Sequence, residues 1–169
     1  MKLLIVQTSP ARTGSTVLSN ALYGMIPEFK DHPCVFVNRV NPLNEALFNN
    51  VILIKTHLPI DHFRKNYGMH KLVFICSQRK ELNRLVPDKE DDVVVFDYEE
   101  LNETKSNPLP QIIDNIYNKV QPLLPMPLDK KGGITRITAM NARYIEIEKK
   151  PFNYHDPFFH LHGSHRNRG

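Results

Sequence analysis

The chain has no long apolar run, very little cysteine and only a weak excess of one charge. Its 169 residues contain no stretch near the roughly 20 apolar residues of a membrane span, and the apolar run at residues 3–6 is too short for the core of a secretion signal. Cys34 and Cys76 are its only cysteines, and each lies in an apolar stretch, so we expect reduced core residues and no disulfide framework. These absences favour a cytoplasmic protein without a membrane partner.

The charge balance points to small anions. The net charge is +4 and the sequence pI is near 9.1, which suits an anionic small ligand or an acidic acceptor. A bias of this size does not argue for nucleic acid on its own, and no nucleic-acid partner is expected. The length suits one domain, residues 1–169, with a core of its own.

Short apolar runs alternate with helical patterns along the chain. The runs are nearly continuous and rich in β-branched residues, which indicates strands buried on both faces, as in a parallel sheet. They cover residues 3–6, 34–37, 51–54, 72–76 and 93–96. Helical patterns cover residues 16–25, 41–49, 60–67, 108–124 and 137–147, and residues 123–133 read as a loop. The sequence therefore predicts an α/β fold with three layers, α/β/α. The central layer is a mostly parallel sheet of about five strands, connected by right-handed crossovers.

The segment TSPARTGST, residues 8–16, lies between the first predicted strand and the first predicted helix. Such a turn is an anion site, because a helix N-terminus offers N–H groups and a partial positive charge. Arg12 adds a planar guanidinium, and Thr13, Ser15 and Thr16 add hydroxyl groups. The triphosphate-binding motif G-x-x-x-x-G-K-[ST] is absent, since Ser15 stands where its lysine would be. The alternative is a plain turn in which Thr13 or Ser15 caps the helix.

A second segment, VILIKTHLP at residues 51–59, ends a predicted buried strand with Lys55 and His57. Ligands of open parallel sheets bind beyond the carboxyl ends of strands, so we expect both side chains at the same edge as Arg12. An imidazole, whose ordinary pKa is about 6.5, can accept a proton near neutral pH. The alternative is that His57 is a loop histidine bonded to backbone.

On these residues the chain resembles the sulfotransferase family. PARTGST resembles the family's 5′-phosphosulfate loop, and KTHLP resembles the cytosolic-type segment that carries the catalytic histidine. VVVFDYEEL is similar to the family's strand ending in Tyr-Glu-Asp-Leu, and the resemblance covers roughly residues 2–101. It implies a sheet topology like that of the P-loop nucleotide triphosphatases. It also implies 3′-phosphoadenosine 5′-phosphosulfate (PAPS) as the sulfuryl donor, adenosine 3′,5′-bisphosphate as the product and no metal.

The resemblance also implies a role for each candidate residue. Arg12 and residues 13–16, with Gly14 in the turn, would hold the 5′-phosphate and the bridging oxygen. Lys55 would stabilise charge on the leaving phosphate or the sulfuryl oxygens, and His57 would be the general base for a hydroxyl or amine acceptor. The acceptor would be a small molecule or a glycan.

The sequence departs from the family where the 3′-phosphate of the donor is held. Ser77 stands where the family has an arginine, and Leu85 stands where it has a serine. Arg79 or Arg84 could supply the charge from nearby. The alternative is that both are solvated helix charges.

The tail, residues 150–169, is aromatic, histidine-rich and basic. The resemblance implies a glycine-containing loop that closes over the donor, with His165, Arg166 and Arg168 binding phosphate; a disordered basic end is the alternative. A metal site is a third interpretation, less favoured because the only carboxylate or thiolate beside it is Asp156. Its ligands would come from His155, His160, His162 and His165.

Three other functions remain open. A small-molecule kinase of the P-loop type is disfavoured by the missing Gly-Lys pair. A non-catalytic nucleotide-binding module is favoured by Ser77. A nucleic-acid binder is supported by the basic tail alone.

Overall fold

The computed structural model describes residues 1–87 and 90–162. At its centre lies a sheet of five parallel strands. They are β1 (Leu3–Thr8), β2 (Phe36–Val37), β3 (Val51–Thr56), β4 (Lys71–Gln78) and β5 (Val93–Asp97). Their order in the sheet is β2-β3-β1-β4-β5, which places β1 in the middle. The predicted α/β class with a parallel sheet of five strands is confirmed. Its relation to P-loop topology stays a prediction.

Helices cover both faces of the sheet, because alternate residues of β1 enter two separate hydrophobic clusters. The helices are α1 (Ser15–Met25), α2 (Ile60–Tyr67), α3 (Tyr98–Leu101), α4 (Leu109–Val120) and α5 (Lys130–Ile147). Leu3 and Ile5 pack with α1, α4 and α5 on one face, whereas Leu4 and Val6 pack with α2 on the other. This alternation is what a strand buried on both faces requires.

Two helix predictions were wrong at their bounds. Residues 41–49 form only the 3₁₀ turn Glu45–Leu47, where the Asn44 side chain accepts the N–H of Ala46 at 3.1 Å. That local bond competes with a longer helix. In contrast, α5 begins within the predicted loop, at Lys130, with Asp129 as its side-chain cap.

Glycines permit a close contact between α1 and the first turn of α5. A Cβ atom added to Gly24 would lie 2.5 Å from the carbonyl oxygen of Gly132. Only a residue without a side chain permits this contact, so the close packing offsets the poor helix propensity of glycine at Gly132.

A short antiparallel hairpin follows α5, formed by β6 (His155–Asp156) and β7 (Leu161–His162). Two-stranded hairpins are marginal alone, and this one is fastened to the domain at its turn. The carbonyl oxygen of Phe158 accepts the Cys34 N–H at 2.8 Å and the Arg136 guanidinium at 3.1 Å. The described part of the predicted closing loop therefore packs against the body of the domain.

Both cysteines are buried and outside any disulfide, which confirms the prediction of reduced core residues. Burial raises the pKa of the Cys34 thiol, and the nearby Arg136 guanidinium offsets only part of that effect. A thiol held in its protonated form is a poor nucleophile. Among residues 1–87 and 90–162, no helix is both long enough and apolar enough to cross a bilayer.

Candidate functional site

The loop between β1 and α1 contains two residues with left-handed backbone. Arg12 has φ 65° and Gly14, the N-cap of α1, has φ 87°. No side chain caps the helix, so the alternative of a cap by Thr13 or Ser15 is wrong. The first N–H groups of a helix have no acceptor within the helix itself. They are therefore available to an anion held in the turn.

Hydroxyl groups support this loop from below. Thr13 Oγ1 lies 2.7 Å from Ser77 Oγ, which in turn lies 2.9 Å from Ser9 Oγ. The Ser77 N–H also donates to Ser9 Oγ, at 2.8 Å, and Thr13 Oγ1 donates to the carbonyl oxygen of Pro10. Thr13, Ser9 and Ser77 are all buried. These three side chains fix the loop on the ends of β1 and β4.

Lys55 lies directly behind the start of α1. Lys55 is 2 % exposed, and its Nζ donates to Thr16 Oγ1 at 3.0 Å. The parallel register of β1 and β3 pairs Gln7 with Lys55, so the ends of the two strands meet at one edge of the sheet. Lys55 is two residues from Leu53 on β3, so both side chains point to the same face of the sheet. Leu53 packs on the α1 side of that sheet. The ammonium group therefore projects toward α1.

His57 follows the end of β3 and is held against the opening of the loop. Its Nδ1 lies 2.6 Å from the carbonyl oxygen of Ser9. A carbonyl oxygen can only accept, so Nδ1 carries the hydrogen and Nε2 is the basic nitrogen of the neutral ring. Phe36 packs edge-on against the imidazole, with ring centroids 5.5 Å apart. The tautomer and the ring orientation are both suited to a general base.

Two cavities open beside the loop. The first, of about 550 Å³, is mainly apolar, with walls that include Leu58 and Val86; its polar lining residues are Thr8, Ser9, His57 and Asp61. The second, of about 320 Å³, is bordered by Arg12, Gly14, Ser15, Thr16, Arg79 and Tyr98. One cavity thus contains the candidate base, and the other contains the candidate phosphate ligands.

Arg79 and Arg84 occupy adjoining positions but point to different partners. Their backbones bridge each other through N–H···O bonds of 2.9 and 3.1 Å. The Arg79 guanidinium lies 3.8 Å above the centre of the Tyr98 ring and pairs with Glu81. The Arg84 guanidinium donates to the carbonyl oxygen of Ala11, in the loop. Of these two arginines, Arg79 borders the second cavity and Arg84 does not.

Only part of the predicted tail site lies among the residues that the structure describes. His165, Arg166 and Arg168 lie outside the described residues. His160, on the hairpin, stacks on Phe36, with ring centroids 4.5 Å apart and planes inclined by 14°. The hairpin therefore lies beside His57, with one aromatic ring between them.

Sequence reasoning missed Ser9 and Phe36. Ser9 both orients His57 and supports Ser77. A signal for it was present, because Gln7, Thr8 and Ser9 are polar residues that follow a fully buried run. Phe36 lacked such a signal, since an apolar residue in a predicted strand is expected in the core.

No protein-family model matches the chain, and a search of the curated proteins gives no match. The assignment of a function therefore depends on the chemistry of the site itself.

Proposed function

We propose that the protein transfers a sulfuryl group from PAPS to a hydroxyl or amine acceptor. The observation that carries the proposal is the position of Lys55 and His57 around the loop. Lys55 Nζ contacts Thr16 Oγ1 behind the loop, and His57 is held by the Ser9 carbonyl in front of it. A cation, a base and a cap-free helix N-terminus at one sheet edge suit transfer of a charged group between two oxygens.

The donor is assigned to the second cavity. Arg12 and the first N–H groups of α1 would take the 5′-phosphate, and Thr13 and Ser77 would keep the loop in shape. Arg79, beside Tyr98, would supply the charge for the 3′-phosphate. Its apolar wall, which includes Leu101, would accommodate the adenosine. Among the residues that the structure describes, Arg12 forms no ion pair within 4.0 Å, although Glu103 borders the same cavity.

The acceptor is assigned to the first cavity, where His57 Nε2 is the basic atom. The acceptor oxygen would attack sulfur in line with the bridging oxygen, while its proton passes to Nε2. The bond between sulfur and the 5′-phosphate oxygen then breaks, and the negative charge stays on the phosphate. Lys55 would stabilise that charge as it develops, which is worth most in a site shielded from water.

Calorimetry with adenosine 3′,5′-bisphosphate, compared with ATP and Mg²⁺, is the first test. The bisphosphate should bind more tightly, and Arg12→Ala should weaken it by about 1.5–3 kcal/mol, the range for hydrogen bonds to charged groups. Lys65→Ala removes an exposed charge on α2 and is the matched control. Tighter binding of ATP with Mg²⁺ would favour the kinase alternative and contradict the proposal.

Turnover with labelled donor and a panel of acceptors is the second test. His57→Ala should bind the bisphosphate nearly as well as the wild type but react about 10²–10⁴ times more slowly. His62→Ala, on α2, controls for loss of an imidazole. An acceptor sulfated equally fast by the wild type and His57→Ala would exclude this role for His57.

A further inference from the structure

The hairpin brings three histidines of the tail together. His155 and His162 are paired across β6 and β7, and their rings stack with centroids 4.6 Å apart. His160 lies in the turn with φ 55°, and its ring meets theirs nearly at right angles, at 5.4 and 4.8 Å. One nitrogen atom from each of the three imidazoles lies within 4.8 Å of the other two.

We propose that His155, His160 and His162 bind a divalent transition-metal ion of the zinc class. This inference stands on the hairpin alone and is independent of the proposed sulfuryl transfer. Imidazole nitrogen suits Zn²⁺, and three protein ligands with a fourth position for water are a common zinc arrangement. The lack of a carboxylate or thiolate other than Asp156, which counted against a metal in the sequence, therefore does not exclude a site of three histidines.

The spacing of the nitrogen atoms agrees with tetrahedral coordination. Zinc–nitrogen bonds of about 2.0–2.1 Å at tetrahedral angles separate two ligand nitrogens by about 3.3 Å. The Nε2 atoms of His160 and His162 lie 3.4 Å apart. All three ligand nitrogens lie within 4.8 Å of one another, so no separation exceeds the tetrahedral spacing by more than roughly 1.5 Å. Metal binding would draw the rings together by up to that amount, and the His155 side chain that would take part in this movement is exposed.

The backbone that carries the cluster is held in advance of any ligand. Asp156 Oδ1 accepts the N–H groups of Phe158 and Phe159, at 2.9 and 3.3 Å, which fixes the turn before His160. The carbonyl oxygen of Phe159 accepts the Asn20 amide at 2.9 Å. His160 itself is 9 % exposed and stacks on Phe36. A ligand set on a fixed backbone loses little conformational entropy when the metal binds.

The experiment titrates the full chain, without an affinity tag and treated with a chelator, with ZnCl₂ by calorimetry. Co²⁺ is then used as a probe, because tetrahedral Co²⁺ absorbs visible light far more strongly than the hydrated ion. We expect one ion per chain and strong visible absorption. We also expect weaker binding as the pH falls below about 6, since the imidazoles must be neutral to coordinate.

Variants show which histidines bind the ion. His155→Ala and His162→Ala should each weaken Zn²⁺ binding by more than about 100-fold, since loss of an outer-shell partner alone costs about 10–100-fold. His62→Ala is the matched control and should bind as the wild type does; circular dichroism checks that each variant folds. Failure of the wild type to bind Zn²⁺ would overturn the proposal. So would unchanged binding in both hairpin variants, or binding that only His165→Ala removes.

Discussion

Arg136 fastens the hairpin to the domain, and its removal should be costly. It lies within α5, is 4 % exposed, and donates to four oxygen acceptors. These are Asn20 Oδ1 at 3.1 Å and the carbonyl oxygens of Lys30, His32 and Phe158 at 3.2, 2.7 and 3.1 Å. Arg136→Met keeps the apolar stem but removes the guanidinium from all four acceptors, of which the Phe158 carbonyl keeps the Cys34 N–H.

The expected loss follows from the hydrogen bonds. A hydrogen bond to a charged group contributes about 1.5–3 kcal/mol, but the four share one donor and cannot be summed. The guanidinium also regains its hydration on unfolding, which reduces its net contribution. We expect Arg136→Met to lower the free energy of unfolding by about 3–5 kcal/mol, because oxygen acceptors left unsatisfied in a buried site cost about 1–3 kcal/mol each. For a chain of this size, each kcal/mol shifts the midpoint temperature of thermal unfolding by about 2–4 °C, so that temperature should fall by roughly 6–20 °C.

Urea and thermal unfolding, followed by circular dichroism, measure the effect. Lys65→Met makes the equivalent change at an exposed position and should stay within about 0.5 kcal/mol of the wild type. Arg136→Lys should restore little, because an ammonium cannot donate in the planar pattern of a guanidinium. An Arg136→Met protein within about 1 kcal/mol of the wild type would refute the reasoning, since burial and hydrogen bonding would then contribute almost nothing.

Two further predictions concern a buried phenol and the cavity arginine. Burial raises the pKa of Tyr23 above its ordinary value of 10.0, so above that pH the unfolded chain releases a proton that the folded chain keeps. The free energy of unfolding should therefore fall, as the pH rises, by up to about 1.4 kcal/mol per pH unit. The fall should be less steep in Tyr23→Phe. Urea unfolding of both proteins at pH 9 to 11 measures it, and an equally steep fall in the two would contradict this. Arg79→Ala should reduce the preference for adenosine 3′,5′-bisphosphate over adenosine 5′-monophosphate. Arg84→Ala, whose guanidinium is bonded to Ala11, should keep that preference, and calorimetry showing full discrimination by Arg79→Ala would make Arg79 a bystander.

The sheet could be predicted because parallel strands leave a strong signal. Each strand is covered on both faces, so its residues are apolar without alternation, and each of the five apolar runs contains a strand, although residues 34–37 contribute only Phe36–Val37. The ends were less certain. β1 and β3 continue for two polar residues beyond their apolar runs, at Gln7–Thr8 and Lys55–Thr56, because the ladder with the neighbouring strand continues there. Those polar extensions bring the loop and Lys55 together.

The supports of the site could not be predicted, because their partners are distant in sequence. Arg136 reads as an ordinary helical charge, yet its acceptors lie between 22 and 116 residues away. Ser77 bonds Ser9 across 68 residues, and Thr13 bonds Ser77 across 64. Local sequence patterns cannot predict such pairs, because the pairs depend on how the strands and helices pack.

Ser77 shows how a departure from a familiar pattern can be understood from packing. Its hydroxyl lies in a buried network with Thr13 and Ser9, with the residue itself 0 % exposed. An arginine there would have to displace the hydroxyls that hold the loop. Side chains two residues apart share a face of a strand, so Arg79 follows Ser77 on the same side, just beyond the end of β4 at Gln78. At that point its guanidinium reaches over Tyr98 to the border of the second cavity. In the proposed donor site, small hydroxyl groups would thus support the loop while Arg79, two residues further along, would supply the positive charge.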